Sequence, residues 1–93
     1  MVMIDASHSN SHKKFKEQIP VVENICKQVS NGDNRIIGVM IESNLVEGNQ
    51  KIDLEKGLVY GQSVTDACIG WEDTVKLLND LARAVRDRRS RNS

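Results

Sequence analysis

Apolar residues fall into four groups along the chain, and the spacing within each group predicts its element. The first group, Val2 to Asp5, is a short β-prone run. It empties into a loop of small polar residues, Ala6-Ser7-His8-Ser9-Asn10-Ser11. In the second group Phe15, Ile19, Val22, Cys26 and Val29 recur at helical spacing, with Lys13, Lys14, Lys16, Glu17, Glu23 and Lys27 mostly off that stripe. Pro20 either kinks this helix or marks the first turn of its main segment, because proline lacks the N–H that an interior turn requires. Asn31-Gly32 ends the helix, glycine being suited to a left-handed cap.

The third group, Ile36 to Ile41, is apolar at every position except Gly38. That is the pattern of a parallel strand buried on both faces, with core on one side and helices on the other. The segment from Ser43 to Gln62 then runs without periodicity, punctuated by Gly48-Asn49-Gln50, Gly57 and Gly61. It is far longer than the usual connection of ~4–6 residues, and such loops are functional or disordered. A final helix starts near Gly70, with Glu72 and Asp73 in its positive first turn and Trp71, Val75, Leu78, Leu81, Ala82 and Val85 as its buried stripe.

Two parallel strands and two helices make a sheet too narrow to cover both faces. The fold class expected is α/β, the last quarter of a (β/α)8 barrel, since a closed barrel takes eight strands and about 250 residues. Residues 1–93 then form one partial barrel domain of two strand–helix units, with 90–93 as a frayed C-terminal tail. The N-terminus falls inside a strand, as a cut through a domain would. Open strand edges and an uncovered apolar face lead to the expectation of self-association.

Thirteen basic and thirteen acidic residues cancel, which argues against a nucleic-acid or membrane partner engaged through net charge. The one local excess is Arg83, Arg86, Arg88, Arg89 and Arg91, read as solvated cations complementing the C-terminal end of a helix dipole. Two cysteines, Cys26 and Cys68, no signal peptide and no apolar run long enough to span a bilayer lead to the expectation of a reducing cytoplasm.

Three residues with metal-ligating side chains lie just past the strands or before the last helix: His8, Glu42 and Asp66. In parallel α/β folds the chemistry collects at the carboxyl ends of strands, where separate loops aim side chains at one point. One imidazole and two carboxylates suit a divalent ion such as Mn²⁺, Fe²⁺, Co²⁺ or Zn²⁺. Each residue also has a plainer reading. His8 fits a loop histidine bonded to backbone, Glu42 a partner for a lysine on a neighbouring strand, and Asp66 the cap of the turn Asp66-Ala67-Cys68. Cys68 is either a further ligand or a small buried thiol beside Ala67, Ile69 and Gly70. Cys26 lies on the helix stripe and His12 on a lysine-rich turn, so neither is a candidate. No nucleophile with its base, phosphate-binding glycine loop or zinc-finger spacing is present.

Three runs are more specific: Met3-Ile-Asp-Ala-Ser-His-Ser-Asn-Ser11, Gly38-Val-Met-Ile-Glu-Ser-Asn-Leu-Val-Glu-Gly-Asn-Gln50 and Tyr60-Gly-Gln-Ser-Val-Thr-Asp-Ala-Cys-Ile-Gly-Trp-Glu-Asp73. In order and separation they closely resemble the C-terminal part of the 3-deoxy-D-arabino-heptulosonate 7-phosphate synthase family, of the type found in enteric bacteria and yeast. The resemblance covers essentially the whole chain and implies strands 7 and 8 of the barrel with their helices. It implies that His8, Glu42 and Asp66 are three of four protein ligands to a catalytic divalent metal. The fourth, an upstream cysteine, has no counterpart in this sequence, nor do the basic residues that grip the substrate phosphates.

The function implied is a transferase of the shikimate pathway that condenses phosphoenolpyruvate, attacking through C3, with the metal-oriented aldehyde of erythrose 4-phosphate. By the same analogy His8 lies beside phosphoenolpyruvate and has a catalytic part. The 93-residue chain alone is expected to be inactive. An alternative is a non-catalytic fragment that only folds or assembles with copies of itself.

Overall fold

The computed structural model describes residues 1–8 and 14–92, the last of these by its backbone. The sequence readings at Ser9 to Lys13, His12 among them, and at Ser93 lie outside the described residues. The order of elements is β1 (Val2–Asp5), a 3-10 turn (Phe15–Glu17), α1 (Gln18–Ser30), β2 (Ile36–Met40) and α2 (Trp71–Asn92). β1 and β2 pair in parallel as a two-stranded sheet. The helix between them supplies the crossover that a parallel pair needs.

Val2 lies opposite Ile36, but Met3 lies opposite Gly38, so Ile37 is an extra residue bulged out of the ladder. The bulge lets Ile36 before it and Val39 after it both join the helix-side core. Ile37 is left 63% exposed, and Met3 on the facing strand 65%. Burial of the second strand on two faces is therefore not seen. Among the described residues helices cover one face of the pair only, and the other face meets solvent.

The core comprises two adjoining clusters, Ala6, Val22, Ile69 and Leu77, and Ile25, Val29, Ile36 and Ala84. α1 follows its expected course, with Pro20 in the first turn, where the missing N–H costs nothing. At its other end Gly32 takes φ 104°, and the N–H groups of Asn31, Gly32 and Asp33 donate to Lys27 O, Val29 O and Gln28 O.

α2 departs from the sequence reading in three ways. Its buried positions are Thr74, Leu77 and Ala84, with Leu81 partly buried between them, whereas Trp71, Val75, Leu78 and Ala82 are exposed. The helix carries two apolar faces about one residue apart in rotation, and the face with the smaller residues packs against α1. Thr74 fits there because its hydroxyl donates to Gly70 O at 2.7 Å. The helix also continues through Ser90 to Asn92, where a frayed tail was expected. Its final turns hold good helix formers and cations placed for the dipole, with no glycine or proline to stop them. Finally, Arg88 is not a freely solvated cation: its Nη1 donates to Asp33 O at 2.9 Å and Ile36 O at 2.8 Å, binding the entry of β2 to the end of α2.

The long segment from Ser43 to Gln62 has no helix or strand, yet it is folded on itself. Gln50 closes it by donating from Nε2 to Val59 O and Gln62 O while its Oε1 accepts from the Val59 N–H. Isolated bridges join Ser43 to Ile69, Gly48 to Cys68 and Asn49 to Ser63.

Candidate metal centre

His8 sits on the turn leaving β1, and Asp5 builds that turn. Asp5 Oδ1 accepts from the N–H of Ser7 at 2.8 Å and of His8 at 3.2 Å, the pattern by which an aspartate two or three residues upstream substitutes for a backbone acceptor. Its other oxygen, Oδ2, lies 2.7 Å from His8 Nδ1. One carboxylate thus folds the turn and aims the ring. With Nδ1 engaged by Asp5, Nε2 is the nitrogen that faces the cavity.

Glu42 follows β2, and its backbone is held by Gln18 of α1. Gln18 Nε2 donates to Glu42 O at 2.9 Å, and the Glu42 N–H donates to Gln18 Oε1 at 2.8 Å. The carboxylate then reaches toward His8, with Oε1 3.6 Å from Nε2. Asp66 comes from the far end of the long loop and brings Oδ2 to 3.4 Å from the same nitrogen. The loop is tied down beside it, since Asn49 Nδ2 donates to Thr65 O at 3.0 Å.

The three ligand atoms lie within 4.8 Å of one another. Residues separated by 34 and 24 positions in sequence converge through one strand end, a second strand end and a loop. His8 pairs through Nδ1 with the Asp5 side chain, and both Glu42 and Asp66 turn their carboxylates toward His8 Nε2. Cys68 takes no part in this cluster. It is a free thiol 8% exposed, its Sγ donating to Asp66 O at 3.5 Å, and burial pushes its pKa up.

Electrostatics follow from the crowding of carboxylates around one imidazole. The hydrogen bond to His8 holds the Asp5 carboxyl well below the usual carboxylate range, helped by the Ser7 N–H. His8 is raised above its ordinary value, first by the hydrogen bond to Asp5 and then by Asp5's charge, with Asp66 and Glu42 adding to it. A cavity of about 310 Å³ opens over the three residues, bounded also by Ser7, Phe15 and Asn49. One imidazole nitrogen and two carboxylate oxygens around a common point could together hold a divalent cation.

Two supporting residues escaped the sequence reading. Asp5 reads from the sequence as the end of a strand, although an aspartate two residues before a serine at a strand exit is itself a turn signal. Gln18 sits on the line Gln18, Val22, Ile25 and Val29, all buried in α1. A polar residue on an otherwise apolar stripe was the available signal.

Residues 1–79 match the DAHP synthetase I family. The Phe-sensitive phospho-2-dehydro-3-deoxyheptonate aldolase of Escherichia coli K12 is 58% identical over 88 residues, covering 95% of this chain and 25% of that protein. The phenylalanine-inhibited aldolase of Saccharomyces cerevisiae is 55% identical over 91 residues, with 95% and 25% covered. A solved structure of the aldolase from Francisella tularensis superposes with a TM-score of 0.87 at 57% identity, covering 94% of this chain and 25% of that one. The chain therefore spans about a quarter of the length of the relatives it matches. Matching through 79 of its residues, with the elements in the same arrangement as in the Francisella aldolase, the chain belongs to the DAHP synthetase I family.

Proposed function

We propose that this chain forms the metal-binding quarter of a synthase that condenses phosphoenolpyruvate with erythrose 4-phosphate, as the closing two strand–helix units of a (β/α)8 barrel. The observation that supports the reading is the convergence of His8, Glu42 and Asp66 at the strand ends of a chain of this family. A divalent cation bound there would supply Lewis-acid polarisation and orientation of the sugar aldehyde.

The chain's own residues do the rest of this part of the work. His8 offers the lone pair of Nε2 while Asp5 holds the ring proton at Nδ1. Glu42 and Asp66 offer oxygens and neutralise the charge of the ion. Ser7, 3% exposed, donates from Oγ to Asp5 Oδ1 at 3.0 Å, which keeps Asp5 in place. Through this site the polar floor of the cavity would be contributed by the chain, whereas the fourth ligand, a cysteine in the family, and the basic groups for two phosphorylated substrates lie outside these residues. The isolated chain is accordingly expected to be inactive.

The test joins this chain to the upstream three quarters of the Escherichia coli relative and assays condensation. The expected result is product formation that His8→Ala, Glu42→Ala and Asp66→Ala each lower by roughly 100-fold or more. A chimera whose rate is indifferent to Glu42→Ala overturns the assignment. Product made by the 93-residue chain alone, above its own His8→Ala control, overturns the expectation of inactivity.

A further inference from the structure

Gln18 is 0% exposed, the most deeply buried polar side chain among the described residues. A carboxamide survives in such a place when its donor and acceptor are both used. Here both go to one residue, since Gln18 Nε2 and Oε1 pair with the carbonyl and the N–H of Glu42 at 2.9 and 2.8 Å. That is the pair of bonds a neighbouring strand would make, supplied by a helix just past the last residue of β2, Met40.

The Glu42 carbonyl has a second donor, the N–H of Ile69 at 3.0 Å, and Ile69 O in turn accepts from the Asn44 N–H at 3.0 Å. Ile69 is 0% exposed and belongs to the same cluster as Val22 of α1. One carbonyl therefore joins α1, the end of β2 and the segment that carries Asp66 three residues before Ile69. Among the described residues no other side chain from another element hydrogen-bonds to the Glu42 backbone.

We infer that Gln18 is a positioning residue for the Glu42 and Asp66 carboxylates: it fixes the Glu42 peptide, and through the shared carbonyl the Asp66 segment, relative to His8. Its effect on cation binding rests on the metal reading above. Its effect on the Glu42 backbone does not.

The experiment uses the full chain and three variants. Gln18→Met keeps the length of the side chain and loses both bonds, Gln18→Glu keeps the acceptor and loses the donor, and Val29→Ala weakens the other core cluster away from the site. Amide hydrogen exchange is measured without metal, and Mn²⁺ affinity by titration. Gln18→Met is expected to speed exchange of the Glu42 amide by about tenfold or more beyond Val29→Ala. It is also expected to lower Mn²⁺ affinity roughly 10–100-fold, while Val29→Ala stays within about twofold. Gln18→Glu is expected to fall between wild type and Gln18→Met, and it decides the matter if Gln18→Met does not fold. Glu42 exchange and Mn²⁺ affinity unchanged in the Gln18 variants, or changed no more than in Val29→Ala, overturn the inference. If wild type and Glu42→Ala bind Mn²⁺ alike, the metal reading fails, and exchange at Glu42 still decides whether Gln18 holds it.

Discussion

Asp5 and His8 face each other with Oδ2 2.7 Å from Nδ1, while the other oxygen of the same carboxylate accepts the backbone N–H of His8. The two roles can be separated by mutation. Asp5→Asn retains an acceptor for the turn and loses the charge that orients the ring, so Mn²⁺ affinity should drop roughly 10–100-fold with little change in melting temperature. Asp5→Ala removes the turn acceptor as well, and both quantities should fall. Wild-type Mn²⁺ affinity in Asp5→Asn, measured by titration beside thermal melts, would show that Asp5 only shapes the turn.

Leu77 and Leu78 are adjacent on α2 with opposite fates, 1% and 52% exposed. Leu77→Ala is expected to cost about 2–5 kcal/mol, as truncations inside a packed cluster do. Leu78→Ala should stay within about 0.5 kcal/mol. Denaturant unfolding of the two variants checks this, and the reverse order would mean that the helix presents its other apolar face to α1.

Arg35 donates from Nε and Nη2 to the two oxygens of Asp33 at 3.1 and 2.9 Å, and its N–H adds a third bond at 2.9 Å. These bonds hold Asp33 at about 2, below its ordinary 3.8, with the charges of Arg35 and Arg88 contributing. Because the folded value is the lower one, the stabilisation is present above pH 3.8 and is lost as pH falls through about 2. Arg35→Gln should move the Asp33 titration up toward 3.8, read by carboxylate NMR, and shift acid unfolding to higher pH. An unmoved Asp33 titration would remove Arg35 as the cause.

Met3 and Ile37 leave the sheet with an uncovered apolar face, and Leu54 and Tyr60 stand 95% and 88% exposed on the loop. At about 25 cal/mol per Å² of apolar area, burying several hundred Å² offsets much of the cost of association. The isolated chain is therefore expected to self-associate as its concentration rises, with light scattering reporting masses above that of one chain. Ile37→Lys should move the distribution back toward single chains. A cooperative monomer over a wide concentration range would contradict this.

Local spacing determined the elements and their order. The two strands, the helix that opens with Pro20 in its first turn and ends at Gly32, and the start of the last helix near Gly70 follow from periods and caps that act within a few residues. The three candidate ligands were legible because loops after parallel strands share one end of a sheet, and because the surrounding runs resemble one family. Tertiary structure alone decided the rest. Which face of α2 is buried depended on the fit of Leu77, Leu81 and Ala84 against α1, a comparison between two helices that no single helix encodes. The bulge at Ile37 came from matching β2 to β1. Gln18 found its partner 24 residues away at Glu42, and Arg88 found carbonyls at Asp33 and Ile36, because buried polar groups must be satisfied by whatever the fold brings near.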